Sequence, residues 1–477
     1  MAELLDEFLR RACLSYTDDD WPSKWRRGAR LLARHPELAQ ASIHAAAVSG
    51  EAAQVRTLLQ SRPALASERA GPQQWPPLLF VCYGRIENHA AVEIATALLD
   101  AGADPNAHFV MGDGGYKFTA LTGAIGHGEL GQPEHPHALA LARLLLERGA
   151  RADDAQALYN THLQGDDPRW LELLFEYGLD RAAVVSWKTP SQRPPMLLDY
   201  LIAQAAAHGH IARARSLLAH GADTNARSTY NGRSCYRLAM IAGHTDIAAL
   251  LLERGATADT PEGRDAFVAA CFRVDAAEAK RHLDGHREYL EDAQLLIDAA
   301  GAGRVAVVTL LLELGMDPNR QGMHGHRALH VGCSHREVAD VLFRFGADPR
   351  SRCFGGSVTG WARHHGDPEL ARYYAQKSRS LLDAAVSGHV SLARELLESD
   401  PMSLHERSPS GNGPLHELTD DVERGSQLIA LLLKAGADPM ARNDAGQTPG
   451  ERLDALGLDE LAALLEARCG SVASEMS

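Results

Sequence analysis

At 477 residues the chain is longer than one ordinary globular core supports, which leaves several domains or a repeat array that buries its core between neighbours. Hydrophobic residues reach 45% but aromatics only 6%, so the core must be mostly Leu, Ala and Val, which suits short stacked helices better than a sandwich or barrel. Lys and Arg number 48 against 62 Asp and Glu; the formal net charge of −14 repels phosphate and argues against nucleic acid as a partner.

The N-terminal residues Glu3, Asp6 and Glu7 precede any apolar run, which is unlike a signal peptide, and no apolar stretch is long enough to span a bilayer. Seven scattered cysteines without a CxxC pair argue against a disulfide framework and for a reducing, cytoplasmic setting. Leu4, Leu5, Phe8, Leu9 and Ala12 form one helical stripe, and Pro22 opens a second helix that ends in Arg34-His35-Pro36-Glu37-Leu38. That ending matches Ser61-Arg62-Pro63-Ala64-Leu65, so residues 1–40 read as a diverged N-terminal capping unit. The basic cluster Lys24, Arg26, Arg27 and Arg30 reads as a solvated helix face.

From residue 41 one pattern recurs. Residues 43–59 (IHAAAVSGEAAQVRTLL), 203–225 (AQAAAHGHIARARSLLAHGADTN) and 237–256 (RLAMIAGHTDIAALLLERGA) share it. So do 296–319 (LIDAAGAGRVAVVTLLLELGMDPN), 327–349 (RALHVGCSHREVADVLFRFGADP), 381–401 (LLDAAVSGHVSLARELLESDP) and 428–449 (LIALLLKAGADPMARNDAGQTP). The pattern they share, in whole or in part, is a small-residue helix, a Gly-polar turn, a Leu-rich helix and a Gly-Ala-Asp exit. Val305, Val308 and Leu312 make an apolar stripe on the second helix, and Leu311 is placed in the packed core. Asp-Pro-Asn at 104–106 and 317–319 turns the chain into the loop linking units. The pattern resembles the ankyrin repeat, with its period of about 33 residues. No unit carries the family's full Thr-Pro-Leu-His-x-Ala-Ala string; Ile43-His44-Ala45-Ala46, Ala328-Leu329-His330 and Pro414-Leu415-His416 come nearest. The resemblance implies an all-α solenoid of about 12–14 helix–turn–helix units with hairpin loops. Repeats with elaborated loops at 107–137 would fill 41–260, further and partly irregular repeats 261–445, and a C-terminal capping unit and tail 446–477. The Ala/Arg/Leu-rich composition is similar to ankyrin proteins of bacteria, and no secretion signal marks an exported effector.

Two loops depart from the short polar type seen at Arg442-Asn443-Asp444-Ala445-Gly446: residues 107–118 (AHFVMGDGGYKF) and 127–137 (HGELGQPEHPH). In ankyrin proteins such fingers and the first helices line a concave binding face. The resemblance therefore implies a protein partner held by Trp75, Phe109, Tyr116, Phe118, Tyr230, Met323, His324, His326 and Phe354, with the chain itself a monomer. The bland alternative is that each ring packs down on its own loop.

Chemistry finds little support. Gly112-Asp113-Gly114-Gly115 lacks the Lys-Ser/Thr of a P-loop, His416-Glu417 is followed by Asp420 where a zinc protease needs His, and Gly355-Gly356-Ser357 has Thr359 where a nucleophile elbow closes with Gly. Most of the 23 histidines fall at the repeat's usual positions, and His127, His135, His137, the His324/His326 pair and the His364/His365 pair lack companions at ligand spacing, so no metal or cofactor is expected. The expectation is a non-enzymatic scaffold with no catalytic residues. The competing reading is an enzyme or small-ligand receptor built from Trp75, Tyr83, Tyr116, His127, Glu129, His135 and His137.

Overall fold

The computed structural model describes residues 1–17, 20–112, 115–129, 131–163, 165–185 and 195–475. It divides into two compact units, Met1–Pro261 and Glu262–Ser477. In the first unit consecutive helices pair: Ala2–Ala12 with Pro22–Arg34, Ile43–Ser49 with Ala52–Ser61, Pro77–Tyr83 with Ala91–Asp100, and Ala120–Ile125 with Ala138–Glu147. Ala155–His162 with Arg169–Glu176, Leu197–His208 with Ile211–Ala219, and Cys235–Ile241 with Thr245–Glu253 continue the series. From Ile43–Ser49 to Cys235–Ile241, each first helix packs on the first helix of the next pair.

The second unit repeats the plan. Arg264–Phe272 pairs with Ala276–Leu283, Ala293–Gly301 with Val305–Glu313, Ala328–Val331 with Arg336–Arg344, and Val358–His364 with Pro368–Ser378. Leu381–Ser387 with Val390–Ser399, the 3-10 turn Pro414–His416 with Val422–Lys434, and Pro449–Ala455 with Asp459–Glu475 complete it. The only sheets among the described residues are two antiparallel hairpins, β1 (His108–Met111) with β2 (Tyr116–Thr119) and β3 (Arg352–Cys353) with β4 (Gly356–Ser357). The fold is an all-α solenoid.

Small side chains allow this stacking. Ala45, Ala46 and Ala47 are wholly buried, as are Leu311 and Val308 on the second helix of a later unit. The exit Gly315 takes a φ of +107°, where any side chain is strained. Past that exit the polar residues join one unit to the next. Asp104 Oδ1 accepts the Asn106 amide at 2.9 Å, and Asn106 in turn donates to the Gly149 carbonyl at 3.0 Å and accepts the Arg151 amide at 2.9 Å. Asn319 does the same with Gly346 and Asp348 at 2.9 and 2.7 Å. At both junctions backbone polar groups of the following repeat are thus satisfied by an asparagine side chain of the preceding loop.

Histidines serve the same end. The Nε2 atoms of His44 and His416 meet the Glu68 and Gln447 carbonyls at 2.7 and 3.2 Å, each in the following loop. At the helix–helix turn Gly209, with φ +80°, packs so closely on the His244 ring that a Cβ would lie 2.6 Å from it. The six described cysteines are free and buried, and burial pushes the thiols of Cys13, Cys82, Cys235 and Cys271 up to about 12, so they are protonated and unreactive. One expectation fails: Lys24 is not solvated but buried, with Nζ 2.6 Å from Asp20 Oδ1 and 2.8 Å from Ser15 Oγ.

Candidate functional site

The most elaborated loop of the first unit is held from beneath by a stack of rings. In the β1–β2 finger Phe109 lies opposite Phe118, their ring centroids 5.4 Å apart and nearly parallel. Trp75 of the preceding loop stacks on Phe109 at 4.6 Å and leans on Tyr83 at 5.2 Å. Tyr83 donates its hydroxyl to the Thr119 carbonyl at 2.7 Å, and Thr119 and Thr122 share the buried carboxylate of Asp154. Burial raises that carboxyl, while the two hydroxyls and the amides of Ala157 and Gln156 pull it back. The base of the finger is therefore fixed to the rings beneath it. Trp75 and Phe118 are 3% and 8% exposed, which corrects the expectation of both as open anchors: their area is spent on fixing the loop. Phe109 is half-buried in the same stack, and Tyr116, near the tip, remains 39% exposed.

A second feature was not anticipated. The loop after Ala2–Ala12 runs over the ends of later first helices: Leu14 donates its amide to the Tyr83 carbonyl, and Arg85 donates its own to the Ala12 carbonyl, at 2.9 and 2.8 Å. Tyr16, at φ +57°, then lays its ring 4.7 Å from Phe118 and accepts at its hydroxyl from Asn160 Nδ2 at 2.9 Å. The Arg85 side chain donates to the Pro133, Cys82, Gly84 and Gly123 carbonyls, and its burial lowers its pKa. This strap closes part of the first-helix face.

Beside the strap the face is lined by tyrosines. Tyr159 donates to exposed Glu129 at 2.8 Å, and its ring meets buried His162 edge-on at 5.0 Å. His162 meets Tyr200 at 5.8 Å, and the Tyr200 and Tyr230 hydroxyls lie 3.2 Å apart. Tyr230 stands 64% exposed in the loop before Cys235–Ile241. Burial, the Glu129 hydrogen bond, and the fields of Glu129, Tyr230 and Tyr116 hold the Tyr159 phenol well above its ordinary range. Burial drives His162 down to about 3, so its imidazole is neutral.

In the second unit Met323 and Phe354 are exposed, and His326 stands edge-on to Phe354 at 5.1 Å and to Trp361 at 6.4 Å. The His324 side chain lies outside the described residues. The nine expected contact residues thus fall into a first-unit group and a second-unit group.

No family model matches the chain. It is 26% identical over 166 residues to the ankyrin repeat protein YahD of Escherichia coli (strain K12), covering 34% of this chain and 72% of that one. The chain is built of ankyrin repeats. A 75-residue stretch is 36% identical to cyclin-dependent kinase inhibitor 2A of Monodelphis domestica, covering 16% of this chain and 44% of that protein. The crystal structure of the human ASB11 ankyrin repeat domain matches at 21% identity, with 54% of this chain and 96% of that chain covered and a TM-score of 0.25.

Within this ankyrin array, the seven residues of the competing reading do not converge. Trp75 and Tyr83 belong to the ring stack, and Glu129 takes the Tyr159 hydroxyl. His127 Nε2 meets Glu134 at 2.8 Å, a carboxylate that also takes Arg169 and Trp170. His135, pushed down to about 3 by burial, accepts the His137 amide at 3.0 Å. No group of three or more His, Cys, Asp or Glu among the described residues is placed to hold a metal ion, and no helix of the described residues is long and apolar enough to cross a membrane. Sequence reasoning missed Tyr16, Tyr159, Asn160, His162 and Tyr200. The usable signals were the long Leu14-to-Trp21 loop and polar or aromatic residues where the repeat expects Ala.

Proposed function

We propose that the protein is a non-enzymatic scaffold that binds another protein through the first-helix and finger face of its first unit. The observation that carries this is the pairing of a fixed platform with open rings: Trp75, Phe109 and Phe118 pin the finger, while Tyr116 and Tyr230 remain exposed on it and beside it. Rings presented on a preorganised scaffold lose little entropy on binding, and Tyr is among the residues enriched at interface hot spots. Relatives made of ankyrin repeats, a family of protein-interaction domains, support the same reading. Met323 and Phe354 form a second, smaller candidate contact, with His326 beneath Phe354. The acidic surface suits a neutral or basic partner in the cytoplasm and disfavours nucleic acid.

The test compares proteins captured quantitatively from native lysate by the wild type and by a Tyr116→Ala, Tyr230→Ala double variant. Phe109 and Phe118 are left intact because changing them would loosen the finger itself. Loss of a specific partner by at least about tenfold, with unchanged circular dichroism, is expected from two hot-spot rings. Equal capture by the two proteins would contradict the assignment of this face.

A further inference from the structure

The β3–β4 hairpin of the second unit carries a residue that its turn does not favour. Cys353 pairs with Gly356, which leaves Phe354 and Gly355 as the two turn residues, at φ +49° and +78°. A two-residue turn with both positions left-handed favours Asn-Gly or Gly-Gly, because a Cβ is crowded there, and a bulky aromatic is the strained choice. The Phe354 ring gains little burial in return: it is 69% exposed, edge-on to His326 at 5.1 Å. Met323, in the preceding loop, is 67% exposed, and Cys353 ties the two loops by donating from Sγ to the Gly325 carbonyl at 3.5 Å. Strain held under an exposed ring points to a contact made outside the chain.

The charge around this hairpin departs from that of the chain as a whole. Arg327 and Arg352 are half-buried and Arg350 is exposed. All three donate to backbone carbonyls: Arg327 to that of Asn319, Arg352 to Gly355 at 3.0 Å, and Arg350 to Ser378 and Arg379 at 2.8 and 3.1 Å. A carbonyl fixes a guanidinium without neutralising it. No carboxylate among the described residues forms an ion pair with any of the three, whereas Arg320 pairs with Glu291 and Arg379 with Glu395. The exposed acids of these loops, Asp317 and Asp348, each accept a turn amide at 2.8 Å, from Asn319 and Arg350. Asp383 lies buried, its oxygens taken by the Ser357 and Ser378 hydroxyls at 2.5 and 2.6 Å. Burial, followed by the fields of Arg327 and Arg352, holds the His330 imidazole down to about 4, so both guanidinium groups act at the base of the hairpin.

We propose that this hairpin is the docking site for an acidic segment of a protein partner, Phe354 and Met323 receiving an apolar side chain and Arg327, Arg350 and Arg352 pairing with flanking carboxylates. The inference rests on the reading of the chain as a binding scaffold but not on its first-unit face. Arg–carboxylate pairs belong to the stronger class of hydrogen bond, and a half-buried guanidinium without a counter-ion gains most from one. A basic segment is repelled by the same three charges, and a neutral one gains only the ring contact.

The test is fluorescence anisotropy of the full chain with a dye-labelled peptide of repeated Glu-Asp-Leu-Phe, beside a counterpart in which Gln and Asn replace Glu and Asp. The acidic peptide is expected to bind saturably, about tenfold tighter than the neutral one, and to weaken as salt rises. Arg350→Gln combined with Arg352→Gln should weaken the acidic peptide about tenfold and bring it close to the neutral one. Phe354→Asn suits the turn, so it should raise the melting temperature while weakening both peptides severalfold. Arg254→Gln, an exposed change in the first unit, should leave binding as it was. Equal binding of the two peptides, binding of neither, or undiminished binding by Phe354→Asn would overturn the proposal. Tighter binding of a single-stranded oligonucleotide to the same arginines would also overturn it. If it falls while the Tyr116/Tyr230 double variant still loses its partner, the first-unit face stands and only this site is lost.

Discussion

At the scale of single residues, most of the chain's stability depends on how little volume each position wastes. Leu311 is wholly buried between helix pairs, so Leu311→Ala should cost about 2–5 kcal/mol through lost transfer energy and a residual cavity. Denaturant unfolding of the two proteins checks this, and an unshifted midpoint would contradict the packing. Histidine burial has a separate consequence. His135 and His162 are pushed down to about 3 and His330 to about 4, all by burial, against about 6.5 when unfolded. Their folded pKa values are depressed, so the unfolded chain binds more protons below pH 6.5. The stability they contribute is complete above that pH and is lost as pH falls towards 4. Asp154 and Asp383 have carboxyls raised by burial and act in the opposite sense, favouring the folded chain as pH falls towards the ordinary carboxylate range. The melting temperature is therefore expected to drop between pH 7 and pH 5, and His162→Gln should flatten that drop; a rise on acidification would refute it.

At the scale of elements, the repeats were legible because their signals are local and redundant. The Ala-rich first helix, the Gly-His turn and the Gly-Ala-Asp exit each report one unit's own geometry, and Asn106 and Asn319 carry out the same junction 213 residues apart. The site was legible only in part. Composition marks Trp75, Phe109 and Phe118 as aromatic but cannot say whether an aromatic in a loop faces out or stacks inward, and here the stack wins because four rings bury one another. The strap was invisible for a different reason: the Tyr16–Asn160 contact spans 144 residues and follows no repeat period. Its contribution can be isolated. Tyr16→Ala should remove the ring from Phe118 and leave Asn160 with one fewer partner, a loss of about 2–3 kcal/mol for a half-buried aromatic. Hydrogen exchange should report the loss as faster opening of 77–83 and 120–125 while the second unit is unchanged. Uniform protection in the variant would mean that the strap does not brace the first-helix face.

At the scale of the whole molecule, each unit has its own stacked helix pairs and its own group of exposed loop residues, Tyr116 with Tyr230 in the first and Met323 with Phe354 in the second. The first unit carries a ring-braced finger, a strap across part of the first-helix face, and a row of tyrosines beside it. The central claim is that this face holds a protein partner. Its most direct test is photo-crosslinking in cells with p-benzoylphenylalanine at position 230 and, in a second protein, at position 252, where Leu252 is exposed on a second helix. A discrete protein adduct from position 230, absent from position 252 and suppressed by Tyr116→Ala, is the result predicted. Adducts of equal yield at both positions, or at 252 alone, would contradict it.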